Sequence, residues 1–199
     1  MSTAEMPLRV VHSPGGSDVD AAERAAADLL RALGVEMSTE ARARTPHRMV
    51  AAYAELLQPR TFQLTTFPND ENYDELVLAR QIPFRSVCEH HVLPFVGVAH
   101  VGYLPGRRIV GLSKLARLVE HLAARPQVQE RLTKQIASWL VDYLDPVGVG
   151  VVLEAEHSCM TLRGVRAIGS STVTSTLLGA LRENAQSRAE FFALVGVSR

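Results

Sequence analysis

The hydrophobic period of this chain switches twice, and no other feature narrows its possible folds as much. Apolar residues recur at helical spacing from about Ser17 to Leu57. From Leu76 to Leu112 they instead form the runs ELVLARQIPF, LPFVGVAHVGYL and RRIVGL. Helical spacing then returns for two segments, and VGVGVVLEAEH and VTSTLL follow as further strands. Strand groups on either side of a helix pair predict an α+β fold rather than a doubly wound sheet. The Pro-Gly of Leu104-Pro105-Gly106-Arg107 predicts a turn that makes the second and third runs antiparallel neighbours.

The helices carry their own boundary signals. Ser17 and Asp20 predict a capping box ahead of the stripe Ala22, Ala25, Ala26, Leu29 and Leu33, which Gly34 stops. Thr45 is the predicted N-cap and Pro46 the first-turn proline of a second helix lined by Met49, Val50, Tyr53, Leu56 and Leu57. Ser113 is expected to cap a third helix, and Pro126 to open a fourth that Asp145-Pro146 ends. RAEFFALV is expected to close the chain as a short helix. Residues 1–16, ending in Ser-Pro-Gly-Gly, are expected to be a flexible leader, and 17–199 a single domain.

Charge gives no global direction. Lys plus Arg and Asp plus Glu both number 21, which points neither to nucleic acid nor to an anionic membrane. No apolar run approaches the ~18 residues of a membrane span and no signal peptide is visible, so a soluble, cytoplasmic protein is expected. Only two cysteines occur, far apart, which favours reduced thiols over a disulfide framework.

Both cysteines stand beside imidazoles. SVCEHHVLPF places Cys88 three residues before His91, and EHSCM places His157 two before Cys159. Cys88, His91 and Cys159 suit an open Cys₂His zinc site, with a fourth position left for water whose pKa falls toward ~7. His90 and His157 would lie beside it, either carrying protons or facing solvent. In GLSKLAR, Ser113, Lys114 and Arg117 gather amides and cations at a helix N-terminus, forming either an anion site or an ordinary solvated face. Arg163 could add charge from the metal side. Gln129 and Glu130 lie off the apolar stripe of the fourth helix. A carboxylate there is either a solvated glutamate or an acceptor for two hydrogen bonds from a guanine-like edge.

Four motifs in this order, SVCEHHVLPFVGVAHVGYLPG, IVGLSKLARLVE, RPQVQERLTKQIA and EAEHSCMTLRGVR, resemble the GTP cyclohydrolase I family from about residue 18 to the C-terminus. The resemblance implies the tunnelling fold: an antiparallel four-stranded sheet with a backing helix pair and N-terminal helices, assembled as a toroidal homodecamer of two facing pentamers. It implies Zn2+ on Cys88, His91 and Cys159, with activated water adding to the imidazole carbon of guanine while His157 protonates the ring nitrogen. Two hydrolytic steps then release formate, and rearrangement of the ribose gives 7,8-dihydroneopterin triphosphate, the first step toward pterins and tetrahydrofolate. Glu130, with Gln129 and backbone groups, would hold the guanine, and Ser113 and His90 would serve the ribose. Lys114, Arg117 and Arg163 would hold the triphosphate. Arg48, in TPHR, would reach the phosphates from an adjacent subunit.

Ala167 and Ser171 stand where many members of that family carry lysine, and Ala51 where some do, which implies weaker phosphate affinity rather than another reaction. Two alternatives share the motifs. One is a tunnelling-fold paralogue acting on deazapurines, such as a reductase of a nitrile-bearing deazapurine with a cysteine nucleophile and NADPH, for which no nicotinamide motif is apparent. The other is a non-catalytic, zinc-stabilised regulator that binds pterins or purines.

Overall fold

The apolar runs pair with one another. In the computed structural model, which describes residues 18–196, β2 (Val77–Cys88), β3 (Pro94–Leu104), β6 (Gly148–His157) and β7 (Thr172–Gly179) form an antiparallel sheet in that order. Alternation sets its faces: on β3, Phe95, Ala99, Val101 and Tyr103 point into the main core. The helix pair α4 (Leu112–Ala123) and α5 (Gln129–Leu144) covers that face, α4 over β2 and α5 over β6 and β7. Leu115, Leu118, Leu132, Ile136 and Leu140 are fully buried between the layers. The α+β expectation holds.

The sheet has a fifth strand. β5 (Pro126–Gln127) lies parallel to β2, pairing Val87 with Pro126 and Cys88 with Gln127. Pro126 therefore sits at the start of an edge strand, a place that tolerates its missing N–H. The expectation that it opens the helix is corrected, since α5 begins at Gln129 with Val128 as its cap residue. Ser86 Oγ reinforces the connection by donating to the Ala123 carbonyl at 2.7 Å.

β4 (Arg108–Val110) does not extend the main sheet. It pairs with β1 (Thr66–Pro68) in a separate two-stranded sheet, so the expected hairpin of β3 with β4 does not form. The contact that remains is the Val110 N–H donating to the Tyr103 hydroxyl at 3.1 Å. The cap of α4 is Gly111; Ser113 falls inside the first turn and makes no capping bond.

At the N-terminal side, α1 (Val19–Ala32) is capped by Asp18, whose carboxylate accepts from the Ala21 N–H at 2.9 Å. Ser17 and the 1–16 leader lie outside the described residues. A short α2 (Glu40–Ala43), which the sequence did not announce, precedes α3 (Thr45–Leu57). Thr45 is already helical, and Arg44 occupies the cap position that Thr45 was expected to fill. Only Ala26 of the α1 stripe is buried; Leu29 and Leu33 remain 49% and 69% exposed.

The second face of the sheet is covered at one end by α7 (Ala180–Glu183) and α8 (Ala185–Val195), whose Phe191 lies fully buried over Gly102 and Gly150. Gly97 on β3 is tighter still. A Cβ there would meet the Glu154 carbonyl oxygen at 2.0 Å and the Ala155 Cα at 2.6 Å, both backbone atoms of β6 that cannot swing aside. Gly97→Ala is therefore expected to cost about 3 kcal/mol, at the upper end of ordinary overpacking penalties. Differential scanning calorimetry should show Tm falling by roughly 6–12 °C. An unchanged Tm would contradict this account of the β3–β6 contact.

Candidate active site

β2 ends at Cys88 and β3 begins at Pro94, so the intervening turn carries Glu89, His90 and His91. Val92 in that turn has φ +54°, a left-handed conformation that disfavours a β-branched residue and costs roughly 1–3 kcal/mol. Several bonds hold it. Val92 N–H donates to the Cys88 carbonyl at 2.8 Å and Cys88 N–H to that of Leu93 at 2.9 Å. Glu89 N–H donates to the Gln127 carbonyl of β5 at 3.0 Å, and the Tyr53 hydroxyl of α3 to the Val92 carbonyl at 2.9 Å.

The third donor arrives from β6. That strand ends at His157, opposite Phe95, and α6 (Ser158–Thr161) then turns Cys159 toward Cys88. The ligand atoms of Cys88, His91 and Cys159 all lie within 4.8 Å of one another, and Cys88 Sγ is 3.8 Å from His91 Nδ1. Tetrahedral zinc with bonds of about 2.3 Å to sulfur and 2.0–2.1 Å to nitrogen separates those two atoms by roughly 3.6 Å, so the trio fits the ion. Its electrostatics agree. Burial and the adjoining Cys88 thiol push the Cys159 thiol up, against a smaller lowering by Arg163, which is the crowding a divalent cation relieves.

His90 lies just outside the trio. Its Nδ1 is 4.0 Å from Cys88 Sγ and its Nε2 is 3.8 Å from Glu89, which also pairs with Arg131. The ring is exposed.

His157 is held more firmly. Its ring stacks on buried Phe95 with centroids 4.4 Å apart and planes 5° from parallel, and its Nε2 lies 2.8 Å from Gln129 Oε1. Burial lowers its pKa below the ordinary imidazole value, and Glu130 acts in the opposite direction. Glu130 is exposed in the first turn of α5, near enough for its charge to act on this ring.

Gln129 differs from its expected placement. Its side chain is buried, and its amide nitrogen donates to the Thr172 carbonyl at 2.8 Å and contacts the Leu153 carbonyl and Thr174 Oγ1, each at 3.2 Å. No free donor is left for a ligand, so only its backbone could serve one.

The predicted phosphate residues do not converge within one chain. Gly111 N–H bonds Thr65 beside β1, whereas Ala123, at the other end of α4, receives Ser86 near the metal turn. Ten helical steps from Ser113 to Ala123 span about 15 Å, so Ser113, Lys114 and Arg117 stand toward the far end of the sheet. Arg163, exposed beyond α6, remains near enough to Cys159 to act on its thiol. Arg48 is exposed on α3, its guanidinium bonded to the Ala41 carbonyl and, at 3.3 Å, to the Thr45 hydroxyl. Ala51 and Ser171 are exposed and Ala167 half-buried; Ser171 donates to Glu154 at 2.9 Å.

With this geometry in place, the likeness to known proteins becomes specific. The sequence model of GTP cyclohydrolase I matches residues 22–196. The chain belongs to the GTP cyclohydrolase I family. A GTP cyclohydrolase 1 of Corynebacterium glutamicum is 50% identical over 185 residues, covering 89% of this chain and 93% of that protein. The GTP cyclohydrolase 1 of Mycobacteroides abscessus is 52% identical over 181 residues, 87% and 88% of the two chains. A solved archaeosine synthase QueF-Like in the apo form aligns with 52% of this chain and 93% of its own at 18% identity and TM-score 0.42, too remote to carry a conclusion. Among the described residues of this GTP cyclohydrolase I family member, no helix is long and apolar enough to cross a membrane.

Proposed function

We propose that this chain is a zinc-dependent hydrolase that opens the imidazole ring of GTP, releases formate and forms 7,8-dihydroneopterin triphosphate. The observation that carries the reading is the convergence of Cys88, His91 and Cys159 within 4.8 Å. Those residues would hold the ion and leave a coordination position for water. Zinc bound there would supply a Lewis acid that lowers the pKa of water to about 7.

The protein's own groups do the rest. His157, fixed against Phe95, gives a proton to the imidazole nitrogen of the base as water adds to the neighbouring carbon. A second hydrolytic step frees formate, and rearrangement and reclosure build the pterin ring. Glu130 accepts from the ring N–H and the 2-amino group of guanine, with backbone groups of Gln129 beside it. His90 and Ser113 serve the ribose, while Lys114, Arg117, Arg163 and Arg48 hold the triphosphate. Fewer cations at Ala51, Ala167 and Ser171 would weaken that grip without altering the reaction.

Because Ser113, Lys114 and Arg117 stand away from the donor trio, the reading requires a second copy to complete the site. The tunnelling fold and its toroidal homodecamer would provide one. The exposed Leu29 and Leu33 of α1 and the exposed Val165 and Ile168 beyond α6 support surfaces that copies cover. A cysteine-dependent reductase is less well served, since both thiols already belong to the donor trio.

The test is incubation of the protein with GTP, with and without a strong chelator, following formate and the fluorescence of the oxidised pterin. Both signals should appear together and vanish with the metal. GTP binding with neither signal would instead favour the non-catalytic regulator.

A further inference from the structure

We infer that Gln129 is a positioning residue that fixes the plane of His157 and keeps one ring hydrogen on Nε2, leaving Nδ1 as the nitrogen that takes up the second proton and gives it to substrate. The inference rests on the site reading above for its catalytic consequence, but not for its geometry.

The orientation of the Gln129 amide is forced. Its nitrogen faces two backbone carbonyls, Thr172 at 2.8 Å and Leu153 at 3.2 Å, which only accept. Exchanging the amide oxygen and nitrogen would set oxygen against oxygen at both contacts. Two threonines reinforce this sense. Thr133 Oγ1 donates to the Gln129 carbonyl at 2.7 Å, so its contact with Thr174 Oγ1, also 2.7 Å, uses the Thr174 hydrogen. Thr174 Oγ1 is then left to accept, sharing one of the two Gln129 amide hydrogens with a carbonyl, at 3.2 Å. The donors run in one direction around this buried circuit and leave Oε1 as an acceptor facing His157 Nε2 at 2.8 Å.

An acceptor at that distance requires a hydrogen on Nε2. Stacking on Phe95 fixes the remaining freedom, because the ring cannot turn over without losing either its parallel contact or this bond. Sequence position hides the arrangement: Gln129 neighbours Glu130 in the chain, yet it acts through β6 and β7.

The experiment is ¹⁵N spectroscopy of histidine-labelled, zinc-loaded protein at one alkaline pH that keeps free imidazoles neutral, with His157 assigned by its absence in His157→Asn. The wild-type ring should show hydrogen on Nε2 in roughly tenfold excess or more, as one bond of about 1.5 kcal/mol gives. Gln129→Met, which keeps the length but removes the acceptor, should show a new Nδ1–H population. Gln129→Glu loses the same bonds to Thr172 and Leu153 but keeps an acceptor, and should retain the Nε2–H form.

A wild-type ring with its hydrogen on Nδ1 overturns the inference, as does a tautomer that Gln129→Met leaves unaltered. Should the Met variant fail to fold, the wild-type and Glu spectra still decide the matter. In the Met variant, kcat for formate release should fall about tenfold or more with KM for GTP within a factor of two. If the tautomer changes while kcat does not, the tautomer assignment stands and the proton-carrying role of His157 fails.

Discussion

Serine in place of Cys159 is expected to leave the protein folded, strip its zinc and reduce formate release at least about 1000-fold. Sulfur and oxygen occupy similar space at this half-buried position, so packing changes little. Ligation changes greatly, because the ion wants a thiolate and a serine hydroxyl does not ionise near neutral pH. Losing the Lewis acid removes several kcal/mol of transition-state stabilisation, and each 1.36 kcal/mol is tenfold in rate. Elemental analysis should show less than stoichiometric metal, with far-UV circular dichroism unchanged. Formate release at the wild-type rate from metal-free variant protein would defeat the metal-centred reading altogether.

Removing the carboxylate of Glu130 should be nearly as damaging. It is proposed to accept two hydrogen bonds from guanine, and bonds to a charged group contribute about 1.5–3 kcal/mol each. Glu130→Ala should therefore lower kcat/KM for GTP by roughly 10²–10⁴-fold. A specificity measurement separates recognition from general damage. The wild type should strongly prefer GTP over the analogue lacking the 2-amino group, because that analogue leaves half of the carboxylate pairing unmade. In Glu130→Ala the preference should collapse toward unity. A variant that is slow but still discriminates would show that Glu130 does not read the base.

Much of this architecture was legible in the residues. The long runs of β2, β3 and β6 and the stripes of α4 and α5 announce themselves by period alone. The donor trio was legible because the chain holds only two cysteines and each has an imidazole within three positions. What stayed hidden depends on partners distant in the sequence. β1 is three residues long and exists through pairing with β4, some 42 positions later. Pro126 reads locally as a helix opener, yet the register with β2 and the bond from the Glu89 N–H to the next residue, Gln127, make it a strand residue. Gln129 looks solvated because it falls off the apolar stripe, and only Leu153, Thr172 and Thr174 on two other strands explain its burial. Ser113 was credited with a cap that Gly111 supplies, and its distance from the thiols follows from the direction in which α4 crosses the sheet.

The strained turn at Val92 bears on how Cys88 and His91 are held. Its shape is dictated by β3, by β5 through Gln127 and by α3 through Tyr53. The spacing of Cys88 and His91 is thus tied to the pairing of β2 with β3 and β5, so a change at either partner strand reaches both donors. One left-handed valine is what this turn carries to keep two of the three donors between strands.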